Sequence, residues 1–427
     1  MAGTQLLPQE YEYLDLFDEE YINLREVHSV STITFYDGSP PVEYLQRRIH
    51  EIISLNPWLD SRAVSKGKRV VIKYRNDVQI SDAFPDSKAF GGRKLTVVEA
   101  VDNPLTEEDC NTYDFYPHLG KYLVGKGGEC VDKDVPLFHV AVLKCSETKF
   151  ALIVSISHTI ADGYTYYTLY GMLSNDPGVL PRALIAQREQ MYRPEMLKLV
   201  QTNNDFFTSG SFICNILGHV FCHKKPVLQH RVINPAYIAK IKKQQKDADG
   251  TMISTNDIVT SDLFVHSNCD VGFVAVNFRN RIDVATTEHA GNYEGTVSYL
   301  RPDFATPKLI RESVGAAIVN GKQNGFNIDT SFRRVVTGNA PLMPSFCERR
   351  RACSGIITNW CSFFEPVALE RCQQTLHMPI LENVVATGLV IGIMYMRMPD
   401  MMAIALFQPE NNSMTQNMEA IGLLTVL

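Results

Sequence analysis

No run of five or more lysines or arginines occurs in these 427 residues, and the formal net charge is −6. Phosphate backbones are held by basic faces, so nucleic acid is not an expected partner. CxxC pairs are missing too: the ten cysteines are scattered from Cys110 to Cys372 without regular spacing. In a chain this long they read as reduced thiols, hence as an intracellular, cytoplasmic protein. The nearest approach to a metal cluster, His219, Cys222 and His223, lacks a second half at ligand spacing, so no metal is expected. Residues 1–20 are acidic and show no basic segment leading into an apolar core, so no signal peptide is read there. The final residues, 423–427, carry no prenylation or peroxisomal signal. Internal repeats and low-complexity tracts are not seen either.

Long apolar runs are also lacking. Residues 384–396 are apolar but too few to span a bilayer, and Gly388 and Gly392 suit a buried strand better. Residues 206–222 carry no formal charge, yet contain Thr, Ser, Asn and His. They read as a buried crossover or the wall of an apolar tunnel, with membrane contact not expected. What remains is an ordinary globular composition, 45% hydrophobic and 21% charged, in a chain longer than one core usually supports. Two domains are therefore expected.

Residues 30–35 alternate like a half-buried strand, and Val42, Leu45, Ile49, Ile52 and Ile53 follow at helical spacing until Pro57 stops them. Residues 69–74 predict a short strand. Residues 137–145 and 149–157 predict a hairpin across Ser146-Glu147-Thr148. The stretch 175–226 is irregular and marks a crossover between domains. Asn234-Pro235 opens a helix whose exit is the polar run 242–250, and Ser254 to Asp257 caps a second helix through Phe264. Residues 271–281 predict a strand and 307–320 an amphipathic helix. Residues 354–360, 388–397 and 401–407 predict strands, the last two joined around Pro399-Asp400.

The hairpin delivers the chain to Ser157-His158-Thr159-Ile160-Ala161-Asp162-Gly163. A histidine where a buried strand gives way to a helix is held by backbone on both sides, with its ring free to face a cleft. Neutral imidazole is the side chain best tuned to take a proton from a hydroxyl or amine near neutral pH. Asp162 either orients that ring or braces the turn, and Gly163 permits a φ other residues resist. Alone, H-x-x-x-D-G is equally a packed strand-end histidine.

The motif resembles that of the HxxxD acyl-CoA-dependent acyltransferases, the superfamily of chloramphenicol acetyltransferase, condensation domains and BAHD enzymes. Further stretches are similar to the BAHD and trichothecene-acetyltransferase branch in the same chain order. They are Asn56-Pro57-Trp58-Leu59-Asp60-Ser61-Arg62, Ser254 to Thr260, Asn277-Phe278-Arg279-Asn280-Arg281, Gly291-Asn292-Tyr293-Glu294-Gly295 and Ile357-Thr358-Asn359-Trp360. The plant-type D-F-G-W-G is missing: residues 361–373 hold Phe363-Phe364-Glu365-Pro366 instead. That speaks against the plant clade. Ser157, where condensation domains carry a second histidine, speaks against that group.

The resemblance implies an α/β fold of two chloramphenicol-acetyltransferase-like sandwich domains with mixed sheets and a tunnel at their interface. Residues 1–195 would form the first domain, 196–230 the crossover and 231–427 the second. It implies acyl-CoA as co-substrate, a small-molecule acceptor and a monomer. His158 would be the general base, without a covalent acyl-enzyme. Thr358 and Trp360 would donate hydrogen bonds to the developing oxyanion, since i and i+2 share a strand face. Asp162 would pair with Arg279 or Arg281, and Gly163 would be structural. Ser254, Thr255 and Asp257, at a helix start, would meet CoA, although ordinary capping explains them as well. Two alternatives stay open: condensation of carrier-protein-bound acyl groups, and a non-catalytic relative that binds a small molecule.

Overall fold

Residues 30–35, expected to be a half-buried strand, are buried on both faces, and the structure, a computed structural model, gathers the strands into two large mixed sheets. It describes residues 11–18, 20, 24, 29–75, 95–98, 106, 119–200, 226–314, 316–319, 322–326, 353–381, 389–409 and 418–425. The segment 206–222, with His219 and Cys222, and His223 beyond it, lie outside the described residues, as do 384–388.

The chain opens with β1 (Tyr11–Asp15), β2 (Val30–Asp37) and helix α1 (Val42–Leu55), which buries Leu45, Ile49, Ile52 and Ile53. Strands β3 (Arg62–Lys66), β4 (Arg69–Arg75) and β5 (Thr96–Val98) follow. The hairpin of β6 (Phe138–Lys144) and β7 (Lys149–Ile156) then leads into α2 (Gly163–Gly171), with α3 (Tyr192–Val200) beyond it. After β8 (Pro226–Ile233) come α4 (Pro235–Asp249), α5 (Thr255–His266), β9 (Val271–Asn277), β10 (Glu294–Leu300) and α6 (Pro307–Val314). The remaining strands are β11 (Ala316–Val319), β12 (Lys322–Phe326), β13 (Ser354–Asn359), β14 (Gln373–Pro379), β15 (Val390–Met398), β16 (Met401–Pro409) and β17 (Leu423–Thr425).

Three further sequence readings change. The helix expected over 307–320 ends at Val314, and Ala316–Val319 is a strand paired with β12. The polar run 242–250 is not an exit: α4 continues through it to Asp249, and Gly250 ends the helix at φ +77. Solvated lysines are good helix formers, so polarity there does not mean a loop. The strand expected over 271–281 stops at Asn277, because Asn280 takes φ +58 and turns the chain.

The first large sheet has the order β14-β2-β7-β6-β5, and the second β10-β9-β13-β15-β16-β8-β17. β13 runs parallel to both its neighbours, whereas β16 is antiparallel to both β15 and β8. One strand crosses over: β14, from the second half of the chain, pairs with β2 and forms an edge of the first sheet. The second sheet is a shared wall. Ile393, Tyr395, Ala403 and Ala405 turn one face toward the core built on the first sheet with α1 and α2. Met394, Ile404 and Leu406 turn the other face into a core capped by α4 and α5. That period-two division packs both halves onto one sheet. Among the described residues, no helix is long and apolar enough to cross a membrane.

Candidate active site

His158 lies just past the end of β7. Ser157 N–H donates to the Leu137 carbonyl at 2.8 Å and Asp162 N–H to the Gly291 carbonyl at 3.3 Å, pinning the loop on both sides of the histidine. Asn292 fixes the ring. Its amide nitrogen faces three acceptors: Glu20 Oε1 at 2.9 Å, the His158 carbonyl at 2.9 Å and the Thr159 carbonyl at 3.3 Å. The amide oxygen is therefore what meets His158 Nδ1, at 3.1 Å, and that nitrogen must carry the proton and donate it. In the neutral ring Nε2 is then the nitrogen that takes a proton, the tautomer a general base needs. The side chain keeps 20% of its surface accessible.

Glu20 is itself held by Arg188, whose Nη2 lies 2.8 Å from its carboxylate, with both side chains buried. Arg188 also donates to the carbonyls of Ala186, Ala290 and Ile160, so the pair ties together three loops that surround His158.

Asp162 does not touch the His158 ring. Its Oδ1 accepts from Thr165 N–H at 2.9 Å as the N-cap of α2, and its Oδ2 accepts from Tyr293 N–H at 3.0 Å. Arg279 grips both oxygens, Nη1 to Oδ2 at 2.6 Å and Nη2 to Oδ1 at 3.2 Å. Its remaining N–H groups reach the carbonyls of His289 and Gly291, and its guanidinium lies 4.6 Å and 5.0 Å from the ring centres of Tyr164 and Tyr293. Arg281, the other arginine of that stretch, turns away past Asn280 and donates through Nε to the Asn277 carbonyl. Arg279 is thus the partner. The reading in which Asp162 orients the ring gives way to one in which it locks the loop to the second half of the chain.

Gly163 also needs a different explanation. Its φ is not in the left-handed region. A Cβ there would stand 2.8 Å from Trp360 Nε1, so the glycine is required by close packing and not by backbone freedom. Trp360 is buried and packs edge-on to Tyr167 of α2 at 5.9 Å between ring centres. Its described side-chain contacts are with α2. Thr358, two residues before it, is half-buried near the end of β13, in register with Ile393 of β15.

Ser254 and Asp257 form a capping box: Ser254 Oγ accepts from Asp257 N–H at 3.2 Å, and Asp257 Oδ2 accepts from Ser254 N–H at 2.6 Å. Asp257 is further paired with Arg311, Nη2 to Oδ2 at 2.6 Å. Thr255 Oγ1 accepts from Lys242 Nζ at 3.1 Å. This helix start reaches β13, since Asn359 Nδ2 donates to Asn256 Oδ1 at 3.1 Å. The Asn56–Arg62 stretch is structural: Trp58 and Leu59 are buried, and Asn56 bridges to the Arg182 carbonyl and Leu184 N–H.

Glu294, at the start of β10, has no role in the sequence reading. Its Oε1 lies 3.6 Å from His158 Nε2, on the side of the ring opposite the Asn292 bond, and 30% of its side chain is accessible. Burial raises its carboxyl above the ordinary glutamate value and the charge of Asp162 adds to that, while His158 and Arg279 oppose it. No group of three or more His, Cys, Asp or Glu side chains fit to hold a metal ion is found among the described residues.

No protein-family model and no curated protein matches the chain. Solved structures match along nearly its whole length. Vinorine synthase gives a TM-score of 0.59 at 13% identity, over 100% of this chain and 96% of that one. TRI101 of F. graminearum, complexed with ethyl coenzyme A, gives 0.55 at 13% identity, over 96% and 97%. The first condensation domain of the CDA synthetase gives 0.56 at 12% identity, over 96% and 95%. At such identities the likeness shows the fold. It is the α/β fold with mixed sheets, of the chloramphenicol-acetyltransferase-like kind, read from the sequence.

Proposed function

We propose that this chain is an acyltransferase that moves an acyl group from acyl-CoA to a hydroxyl or amine of a small molecule. The observation that carries the reading is the setting of His158: Nδ1 is held by Asn292, which leaves Nε2 as the ring nitrogen to take a proton, and the side chain is partly accessible. Such a nitrogen takes the acceptor's proton as the acceptor attacks the thioester carbonyl directly, so no acyl-enzyme forms. Thr358 is the donor assigned to the developing oxyanion. Trp360, two residues on, is assigned with it as the second donor, and its indole also packs against α2 at Gly163. The pantetheine arm would run past Thr255 and Lys242 toward Thr358, a route favoured by the Asn256–Asn359 bond between α5 and β13. Residues 1–195 and 231–427 serve as the two halves of the site, with 196–230 as the crossover. That a structure of similar fold is complexed with ethyl coenzyme A supports a CoA thioester as donor.

The test is release of CoA thiol from acetyl-CoA, longer acyl-CoAs or malonyl-CoA with a panel of alcohols and amines. His158→Ala is expected to lower kcat by about 10²–10⁴-fold on any pair that turns over. Full activity in that variant would remove the general-base assignment. The likeness to a condensation domain favours one second reading, a carrier-protein thioester as donor. Turnover of acyl-carrier protein but not of acyl-CoA would select it.

A further inference from the structure

Two cysteines far apart in the sequence meet where α5 has ended and β13 begins. Asp270 N–H and Val271 N–H both donate to the Cys353 carbonyl, at 2.7 Å and 3.2 Å, and Cys353 N–H donates to Asp270 Oδ2 at 2.9 Å. The two backbones thus lie as neighbouring strands do, about 4.8 Å apart. That is inside the range of Cα separations a disulfide bridges, about 4.4–6.8 Å. The side chains agree. A Cβ on Gly355 would stand 2.9 Å from Cys269 Sγ, so that sulfur lies over the face of β13 that Gly355 shares with Cys353. The Cys353 thiol donates to the Ser267 carbonyl at 3.7 Å, and the Cys269 thiol is hydrogen-bonded to Cys353.

We propose that Cys269 and Cys353 form a reversible redox site, at which a peroxide makes a disulfide that staples the end of α5 to the start of β13. Neither cysteine is in a disulfide in this structure. Cys353 is half-buried and Cys269 fully buried, so the oxidant meets Cys353 first. The hydrogen bond to Cys353, with burial, pushes the Cys269 thiol up, which keeps it protonated until its partner has reacted. In the first step the Cys353 sulfur attacks one peroxide oxygen, the O–O bond breaks, and a sulfenic acid and water result. In the second the Cys269 sulfur attacks the sulfenic sulfur. The S–S bond forms, the S–O bond breaks, and hydroxide leaves as water with the Cys269 proton. Two thiols and one hydrogen peroxide thus give one disulfide and two waters, with two electrons passing from the sulfurs to the peroxide. The other ends of α5 and β13 are already tied by the Asn256–Asn359 bond. The bridge closes a loop of about 85 residues, which restricts the unfolded chain and so raises stability.

The experiment takes the full chain, reduced with dithiothreitol and then freed of it, and treats it with hydrogen peroxide. Peptide mass mapping after alkylation locates any bridge, and calorimetry reads Tm. The expected result is a joined Cys269–Cys353 peptide pair lighter by two hydrogens and a Tm higher by about 5 °C, both reversed by dithiothreitol. Cys269→Ser should leave Cys353 as a sulfenic acid that dimedone traps, whereas Cys372→Ser should leave the bridge intact. The wild-type mapping decides the matter even where a variant fails to fold. Thiols with only a packing role would survive peroxide and be alkylated once the chain is unfolded, which overturns the proposal. A bridge from Cys353 to any other cysteine overturns it too, as does a bridge that leaves Tm unchanged or lowers it.

Discussion

Asn292 holds His158 by side chain and backbone together, with Oδ1 3.1 Å from Nδ1 and Nδ2 2.9 Å from the carbonyl of the same residue. It belongs to a loop far along the chain, 134 positions away. The tautomer of the proposed base is therefore set by the second half of the molecule.

Replacing Asn292 with alanine should release the ring without removing it. The expected outcome is a fall in kcat of about 10²-fold, with KM for acyl-CoA little changed, in a protein whose circular dichroism matches the wild type. Steady-state kinetics on a confirmed substrate pair make the check. A change in KM alone would mean that Asn292 serves binding rather than orientation.

Asp162 and Arg279 are buried together, so removing one leaves the other charged and unpaired. Asp162→Ala and Arg279→Ala should each lose about 3–5 kcal/mol of stability in urea unfolding, and the double variant much less than the sum. Arg281→Ala should lose distinctly less, since its described hydrogen bond is to the Asn277 carbonyl. Equal losses from both arginines would contradict the pairing.

Gly163→Ala places a methyl 2.8 Å from Trp360 Nε1. The overpacking should cost about 1–3 kcal/mol. Trp360→Leu, which clears that space, should make the same substitution at 163 nearly neutral. Differential scanning calorimetry of the four proteins would read the coupling.

His377 is buried, with Thr34 Oγ1 2.8 Å from Nδ1 and Tyr167 Oη 3.0 Å from Nε2. Burial lowers its pKa to about 3 from 6.5. The neutral ring is the folded form, so its stabilising effect is complete above about pH 6.5 and is lost as pH falls from there toward 3. Over that window the unfolded chain binds one more proton, and stability should fall by about 1.4 kcal/mol per pH unit from this residue. His377→Gln should flatten the acid limb of a urea-midpoint profile between pH 6 and 4. An unaltered slope would show that His377 does not govern it.

Much of this was legible in the residues because it is local. The β6–β7 hairpin, the capping box of Ser254 and Asp257, and the Asn234 cap each depend on neighbours a few positions apart. What the sequence hid is long-range or lacks a pattern. Strand β14 is Gln-Gln-Thr-Leu-His-Met-Pro, too polar to read as a buried strand. Its one buried polar side chain, His377, meets Thr34, 343 positions distant. Glu294 sits inside a stretch quoted for its glycines and asparagine, and a single carboxylate has no periodicity. Only the folding of β10 against β9 brings it to His158. Gly163 shows the converse: its φ is ordinary, and the close Trp360 neighbour that calls for a glycine cannot be read from local sequence.

The pairing of β14 with β2 has a consequence for the order of events during synthesis. β2 is covered by β7 on one side, but its other edge waits for residues 373–379. A ribosome must therefore translate almost the entire message before the sheet that carries His158 gains its last strand. Until then the nascent chain presents an open, sticky β edge, the kind that pairs with strangers. Slowing elongation after residue 230 should prolong that exposure and raise chaperone dependence, and no truncated product ending before β14 should possess a closed first sheet.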